Sequence, residues 1–445
     1  MKLNYPKDLY ADVRIETIKN TAIRYTKKEL SECKVREYVA AFIRVFDGTK
    51  WYYSSTSDIS AIQKELDNLA ALATPNKGIL DHPAVKRQSK TIDSVFAYES
   101  KKITDVSLDK KLALLDALHP FANDPVIKLY TLAYADRYKI SEFYNSLGAA
   151  IKHDFQLCGF AFVAQMNEGD RQFMGYFNRS RVHFDELFGY EDELRADVDS
   201  YKAFLLNSQP VTPGSYTLVF SPLVTGIFTH EIFGHKSEAD AMVGDEATKK
   251  EWAIGKKLGI KELNIIDSGM DLNSGYVPYD DEGNKARTNY LVKDGILAGR
   301  LHSAATAADF DEPPTGNARA ITYEYEPIVR MTNTYIDKGN MSLDELIAPI
   351  KKGIYVKNVS HGSGLSTFTI APNQSYMIED GKITKPVRIS VITGSVFETL
   401  GDIDGIGNDL KIYSSIFGGC GKMAQGPCLV ADGGPSIRVK NMNVQ

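Results

Sequence analysis

The sequence predicts an α+β fold with two domains: an N-terminal α/β domain of antiparallel strands and helices, and a β-rich C-terminal domain that holds a candidate metal-site helix. A chain of 445 residues is long enough for two hydrophobic cores. Strand and helix patterns alternate in the first half, whereas the second half is richer in glycine and short strands. A Pro/Gly-containing segment, Gln209–Gly214, separates the halves. We therefore place the domains at residues 1–208 and 209–445.

The N-terminal elements follow from the spacing of apolar residues. Alternating apolar and polar residues predict strands, and apolar residues three or four apart predict helices with one buried face. The prediction comprises strands at Ala11–Tyr25, Arg36–Phe46 and Trp51–Ser55, helices at Ser57–Ala73 and from Ser107 to His119, an antiparallel meander over Val126–Tyr176, and a polar helix at Asp185–Leu206.

Composition and charge exclude several classes of protein. The net charge of -5 does not favour direct binding to nucleic acid or to an anionic membrane. The N-terminus lacks the apolar core of a signal peptide, and no apolar stretch is long enough to span a bilayer. The four cysteines do not form a disulfide framework. We expect a soluble, cytoplasmic protein with no membrane partner.

The segment that leads into the candidate site reads as a buried strand followed by a buried helix. Ser215–Phe220 is strongly apolar, Ser221 can cap a helix, and Pro222 suits the first helical turn. The following residues are apolar on nearly all sides, which predicts a helix inside the core.

This helix carries the hexapeptide His230-Glu231-Ile232-Phe233-Gly234-His235. Zinc peptidases commonly space two histidines at i and i+4, whereas these lie at i and i+5, about 140° apart on a regular helix. Both imidazoles can reach one metal only if the helix widens, as in a π-bulge, or unwinds near Gly234. A pair of hydrogen-bonded core histidines is the alternative, but a metal satisfies buried His, Glu and His together, and we prefer it.

A catalytic zinc site needs three protein ligands and one open position. Glu231, beside the first histidine, suits the general base that takes a proton from water. The residue patterns leave the third ligand open among Glu238, Asp240, His302, His361 and Cys420. A further acidic run, Asp280-Asp281-Glu282, lacks a complete calcium-loop pattern and is expected to be a solvated turn.

Several segments, taken in order, resemble the TldD/PmbA family, also called modulators of DNA gyrase, and specifically its TldD-type subunit. The resemblance is dense from about residue 215 to the C-terminus and weaker before it. The matching segments are His230-Glu231-x-x-x-His235-x-x-Glu238-x-Asp240, Asp280-Asp281-Glu282-Gly283, Thr315-Gly316-Asn317, Arg330-Met331-Thr332-Asn333-Thr334-Tyr335, Gly407-Asn408-Asp409-Leu410, Cys420-Gly421-Lys422 and, near the start, Tyr10-Ala11-Asp12-Val13.

The resemblance implies a peptidase that depends on Zn²⁺, with His230, His235 and Cys420 as metal ligands and Glu231 as the base. It implies small or unfolded peptide substrates that enter an internal cavity of a dimer, which is either a homodimer or a heterodimer with a TldE/PmbA-type subunit. Substrate contacts or support of the ligands are expected from Glu238, Asp240, Arg330, Asn333 and His361.

The sequence departs from the usual family pattern at 317–320 and 359–364, two segments expected near the substrate cleft.

The competing hypothesis is a non-catalytic regulatory or binding subunit with a structural metal site. Such a site would be closed by a fourth protein ligand, for which Glu238 and His361 are the candidates.

Overall fold

A computed structural model describes residues 2–364 and 366–445. The N-terminal part is built on one largely antiparallel sheet with the strand order β3-β2-β1-β5-β6-β4, and β7 pairs with β6 as well. Its strands are β1 (Tyr10–Thr26), β2 (Glu29–Phe46), β3 (Trp51–Thr56), β4 (Ile92–Val95), β5 (Ile127–Asn145), β6 (Ala150–Glu168) and β7 (Arg171–Arg181).

Helices cover this sheet. Helix α1 buries Ile62, Leu66 and Leu69, which fall on one face because of the helical period. The helices of this part are α1 (Ile62–Leu72), α2 (Pro83–Lys86), α3 (Leu108–Asp116) and α4 (Glu191–Asn207).

The C-terminal part is built from sheets whose strands are mostly short, in agreement with the α+β prediction. One sheet has the order β16-β9-β25-β19-β17-β18-β8, and another has the order β12-β11-β10-β15-β24-β21. The strands are β8 (Gln209–Pro210), β9 (Gly214–Phe220), β10 (Ile265–Ser268), β11 (Thr288–Lys293), β12 (Ile296–Leu297), β13 (Ala318–Arg319), β14 (Ile328–Val329), β15 (Asn333–Ile336), β16 (Lys352–Gly364), β17 (Thr367–Glu379), β18 (Lys382–Arg388), β19 (Ile392–Ser395), β20 (Ile403–Ile406), β21 (Lys411–Ser414), β22 (Cys420–Lys422), β23 (Gln425–Cys428), β24 (Ala431–Gly434) and β25 (Ile437–Val444).

The short helices of this part are α5 (Pro222–Phe228), α6 (Glu246–Glu251), α7 (Ala304–Asp309), α8 (Leu343–Ile347) and α9 (Val396–Gly401). Helix α5 lies between the two larger sheets, against β16 on one side and β24 on the other. Its side chains Val224 and Phe228 are completely buried, as the apolar pattern predicts. None of the helices in the described part of the chain is long and apolar enough to cross a membrane.

The predicted polar helix at Asp185–Leu206 is wrong at its start. The chain makes a separate 3₁₀ turn at Phe184–Leu187, and α4 begins only at Glu191. Gly189 lies between them with φ +84°, a left-handed conformation that interrupts a right-handed helix.

The prediction that Asp280, Asp281 and Glu282 form a solvated turn is also wrong. Asp280 and Glu282 are each 2% exposed. Arg44 of β2 lies 3.1 Å from Glu282, and it also binds Asp12. A charged group is stable in such a place only when it is paired, and here its partner comes from the N-terminal sheet. The acidic turn therefore ties the two parts of the molecule together. The domain boundary at residues 208 and 209 stays a prediction.

Candidate metal centre

The strand-to-helix turn at Ser221 fixes the start of the site. Ser221 Oγ accepts a hydrogen bond from the backbone N–H of Val224, and Pro222 occupies the first turn of α5. The helix then continues as a π-helical turn over Thr229–Gly234. The widening that the i, i+5 histidine spacing predicts is therefore present, and the ring centroids of His230 and His235 lie 5.1 Å apart.

Gly234 allows this turn to pack against the strand region that carries Met331. A Cβ at position 234 would lie 2.0 Å from Met331 Sδ, and Met331 is completely buried. Only glycine fits here without moving the core. The turn that carries the two histidines is thereby held against the Arg330–Tyr335 segment.

His230, His235 and Cys420 form the candidate metal site. Their ligand atoms all lie within 4.8 Å of one another, and Cys420 Sγ lies 3.3 Å from His235 Nε2. The chain thus brings together residues that are 185 positions apart. Among the residues that the structure describes, no other group of three or more potential metal ligands has its ligand atoms this close together.

A carboxylate orients each imidazole. His230 Nδ1 lies 2.7 Å from Asp432 Oδ1, although the alignment is not that of a regular hydrogen bond. His235 Nδ1 lies 3.0 Å from Glu238 Oε2. With Nδ1 engaged, each ring presents Nε2 to the centre of the cluster, an arrangement typical of metal-binding histidines.

Asp432 reaches His230 because β24 packs very closely on α5. A Cβ on Gly226 would lie 2.9 Å from the backbone nitrogen of Gly433 and 3.0 Å from the carbonyl carbon of Asp432. Sequence reasoning missed Asp432. The signal that could have found it is a carboxylate between small residues, in Ala431-Asp432-Gly433-Gly434, because such a segment can approach a helix closely.

Glu238 is part of a buried ion-pair network. Lys422 Nζ lies 3.0 Å from Glu238 Oε2 and 2.6 Å from Asp240 Oδ1. Lys422 follows Cys420 by two residues, so these contacts also hold the loop that carries the thiol. Glu238 and Asp240 therefore support the site and are not members of the candidate ligand group.

Arg330 anchors the same loop from beneath. It is completely buried, and its Nη2 donates to the carbonyl of Cys420 at 2.6 Å while Nη1 donates to that of Gln425 at 3.0 Å. The β22–β23 hairpin, in which Cys420 faces Cys428, is thereby fixed to the segment that packs on Gly234. The guanidinium positions backbone and does not enter the cluster.

The electrostatics of the cluster favour a thiolate. Burial by itself would raise the pKa of Cys420, but the hydrogen bonds and charges of His230 and His235 outweigh burial and lower the pKa to about 6. Conversely, burial would lower the pKa of His235, but Cys420 and Glu238 raise it to about 9. For His230, burial is outweighed by Asp432 and Cys420, and the pKa is raised well above its usual range.

Glu231 is partly exposed, and its carboxylate makes no hydrogen bond or ion pair with the described residues. A Cβ on Gly362 of β16 would lie 3.4 Å from Glu231 Cγ, so β16 forms one wall beside this side chain. His361 is exposed on the same strand and is not part of the cluster.

Two other candidates are satisfied elsewhere. His302 contacts Thr306 Oγ1 at 3.1 Å and Glu312 Oε2 at 2.9 Å, which leaves no nitrogen for a metal. Asn333 donates to the carbonyl of Ser268 at 2.6 Å and holds backbone near β10. Substrate contact by Asn333 or His361 stays a prediction.

The donor set fits a divalent zinc ion. Two imidazole nitrogens and a thiolate are ligands that zinc prefers, and a carboxylate behind each imidazole is the usual support for such a site. Neither Glu238 nor His361, the residues expected to close a structural site, joins the group. A three-donor site of this type is the kind found in metal-dependent hydrolases.

Comparison with known proteins agrees with this class. Residues 213–445 match the model of the PmbA/TldA metallopeptidase C-terminal domain, and residues 11–73 match that of PmbA/TldA metallopeptidase domain 1. The protein is a metallopeptidase by fold and site, and the chain belongs to the PmbA/TldD metallopeptidase family. Within that family it is a metalloprotease of the TldD type.

Relatives match over nearly the whole chain. A metalloprotease from Methanothermobacter thermautotrophicus is 32% identical, over 98% of this chain and 95% of its own. A zinc metalloprotease TldD homolog from Saccharolobus solfataricus is 31% identical, over 98% and 96% respectively.

Solved structures share the fold at low identity. A candidate modulator of a DNA gyrase from Thermotoga maritima has a TM-score of 0.78 at 17% identity, covering 98% of this chain and 96% of its own. TldE from Thermococcus kodakarensis has a TM-score of 0.73 at 15% identity, covering 98% and 96%.

Proposed function

We propose that this chain is a zinc-dependent peptidase that cleaves small or unfolded peptides inside a cavity formed by a dimer. His230 and His235 hold the zinc through Nε2 and Cys420 holds it through Sγ. Glu231 serves as the general base. The observation that carries the proposal is the grouping of the three donor atoms of His230, His235 and Cys420 within 4.8 Å of one another. Glu231 follows His230 in the same turn, and its carboxylate has no partner among the described residues.

Zinc bound at this site supplies Lewis acidity toward a peptide carbonyl and a water molecule. Glu231 takes the proton of the attacking water and later delivers it to the amine that leaves. Asp432 and Glu238 keep the two imidazoles in the tautomer that presents Nε2. Arg330 and Lys422 keep the Cys420 loop in place while the peptide binds.

The burial of the donors supports an extended peptide as the substrate. His230 is 3% exposed and Cys420 is 4% exposed. The surface of a folded protein does not reach such a site, whereas an extended chain can enter it. The dimer, either a homodimer or a heterodimer with a TldE/PmbA-type subunit, is supported by the family resemblance and by the fold shared with TldE.

A reducing, cytoplasmic location is part of the proposal. Cys420 and Cys428 are direct cross-strand partners, and all four cysteines are free thiols. An oxidising compartment favours a disulfide between such partners, and that bond would remove the proposed thiolate ligand.

Two substitutions test the function by separating metal binding from chemistry. Glu231→Gln should keep zinc and fold but lower the rate of peptide hydrolysis by at least about two orders of magnitude, since the base is lost. Cys420→Ala should lose most of the zinc, because two imidazoles form an incomplete site, and Cys420→Ser should restore little of it.

The measurements are zinc content after dialysis and cleavage of a peptide library by the purified protein, with and without a TldE/PmbA-type subunit. Glu398→Gln, an exposed glutamate on α9, is the matched control and should leave both values unchanged. Hydrolysis that survives Glu231→Gln would reject Glu231 as the base. Full zinc occupancy in Cys420→Ala would reject the ligand set.

A further inference from the structure

A cavity lies between the N-terminal sheet and the C-terminal part. Its volume is about 70 Å³. A single water needs about 10–15 Å³ on a comparable measure, so the cavity holds a group several times larger than one water molecule. This size fits a compact oxyanion, such as a carboxylate or phosphate group.

The sheet side of this cavity is basic and follows from strand register. Arg137, Lys139 and Ser141 alternate along β5, so their side chains share one face. On β6, His153 pairs with Ser141 and Phe155 pairs with Lys139, which places them on the same face. All five residues line the cavity.

The cavity carries an excess of positive charge. Arg137, Lys139 and Arg319 line it, and among the lining residues that the structure describes Asp281 is the sole carboxylate. The lining thus has two positive charges in excess. Just behind it, Arg14 pairs with Asp281 at 3.4 Å and Glu16 pairs with Lys139 at 3.3 Å, and the charges of Arg14 and Glu16 cancel.

Two of the lining side chains have unused hydrogen-bond donors or acceptors. The guanidinium of Arg137 makes no hydrogen bond or ion pair with any described residue, and its Nε is buried. His153 Nδ1 is also buried without a partner. Burial first, and then the charge of Lys139, lower the pKa of His153 to about 4, so at neutral pH its uncharged ring can donate one N–H. Arg137 is partly exposed, and an anion in the cavity would meet a positive charge and hydrogen-bond donors that no described residue uses.

We propose that this cavity is an oxyanion-binding site that takes a carboxylate or phosphate group through Arg137, with His153 and Ser141 as further donors. A planar guanidinium with a free edge binds either group by two parallel hydrogen bonds. The cavity borders the metal-site hairpin, because Pro427, Cys428 and Leu429 line it and Cys428 faces Cys420. The oxyanion comes either from free phosphate or from the C-terminal carboxylate of a peptide.

Calorimetric titration of the zinc-loaded full-length protein with sodium phosphate and with sodium acetate tests the site. Arg137→Gln should weaken binding at least about tenfold, since it removes the charge and the paired donors. Arg36→Gln changes an exposed arginine on the same sheet and should leave the affinity unchanged. An anion bound at the zinc would survive Arg137→Gln, so binding that this variant does not weaken overturns the proposal, as does the absence of binding.

Thermal unfolding separates loss of the site from loss of the fold. Without added anion, Arg137→Gln should melt no lower than the wild type, because the guanidinium has no partner to lose. Phosphate should raise the melting temperature of the wild type and of Arg36→Gln, but not that of Arg137→Gln. A rise of equal size in Arg137→Gln contradicts the proposal.

The affinity of peptides for the Glu231→Gln variant identifies the source of the oxyanion, because this variant should bind a peptide without cleaving it. If the source is a peptide, a free C-terminus should bind at least about tenfold more tightly than the amidated peptide, and Arg137→Gln should abolish the difference. Phosphate binding without such a difference assigns the site to free phosphate. These readouts need no hydrolysis, so they hold or fail independently of the proposed peptidase function.

Discussion

The backbone N–H of His235 donates to the carbonyl oxygen of His230, five residues earlier. A regular helix would make this bond four residues apart and would direct the two imidazoles about 140° apart. The extra residue in the turn brings the second ring back toward the first. This backbone hydrogen bond therefore marks the widened turn that allows both imidazoles to face one metal ion.

Substitution of Gly234 should disturb that turn. In Gly234→Ala the new Cβ would lie 2.0 Å from Met331 Sδ, and the buried Met331 cannot move away freely. We expect a loss of about 1–3 kcal/mol in the free energy of unfolding, typical of overpacking, together with lower zinc occupancy. Denaturant unfolding and metal analysis measure the two effects.

Gly401→Ala is the matched control for this prediction. Gly401 also ends a helix, but a Cβ there would meet only the carbonyl oxygen of Leu258, at an ordinary 3.6 Å. Its unfolding free energy and zinc content should stay close to the wild type. Equal stability and zinc content in Gly234→Ala and Gly401→Ala would show that the turn tolerates a side chain.

Asp432→Asn tests the support of His230. Loss of the carboxylate behind Nδ1 should lower zinc affinity by about 10–100-fold while the fold is kept. Competition with a zinc chelator gives the affinity, and circular dichroism checks the fold. Asp309→Asn, an exposed aspartate on α7, should change neither. Unchanged zinc affinity in Asp432→Asn would mean that the contact with His230 does not orient the ring.

The local part of this site could be predicted from the sequence, since a histidine spacing of five on a buried helix requires a wider turn. The π-helical turn at Thr229–Gly234 confirms that prediction. The α+β class and the strands β1, β3 and β9 follow equally from local periodicity. Strand β2 begins at Glu29 and not at Arg36, because pairing with β1 extends it through mostly exposed residues that have no buried apolar face.

Features that depend on distant partners could not be predicted from residue patterns. Cys420 joins the two histidines only through the fold, and the patterns alone left it among several alternatives. The contact of Asp432 with His230 also depends on the fold, although the small residues around Asp432 are a local signal for close approach to a helix. The acidic turn at Asp280–Glu282 was expected in solvent because its partners, Arg14 and Arg44, come from strands more than 200 residues earlier in the chain.

Proton release on zinc binding should reveal the charge state of the cluster. The raised pKa values keep both imidazoles protonated at pH 7.5, and the lowered pKa keeps Cys420 a thiolate. Zinc needs neutral nitrogens, so its binding should release about two protons. If the pKa values were ordinary, near 6.5 for histidine and 8.5 for cysteine, zinc binding would release about one proton, which would come from the thiol.

Calorimetry at pH 7.5 in buffers with different ionisation enthalpies counts these protons. Zinc affinity should fall as the pH drops below about 9, where His235 gains its proton, and more steeply below about 6, where Cys420 does. Release of one proton would show that the cluster holds neutral imidazoles and a thiol. Cys428→Ser changes a thiol outside the proposed ligand set and should give the same proton count as the wild type.

Arg44 should contribute more to stability than any exposed charge of the same sheet. It lies 2.9 Å from Asp12 and 3.1 Å from Glu282, and the side chains of all three are at most 6% exposed. Arg44→Met keeps an alkyl chain beside Trp51 but leaves two buried carboxylates without a cation, which should cost about 3–5 kcal/mol. Lys34→Ala is the control, because Lys34 pairs with Glu32 at 2.8 Å while its side chain is 57% exposed, and it should cost less than about 1 kcal/mol. Equilibrium unfolding in denaturant measures both variants. Equal losses of unfolding free energy in the two variants would mean that water or protonation of the carboxylates compensates for the missing Arg44 charge. Arg44 would then not hold the two parts of the molecule together.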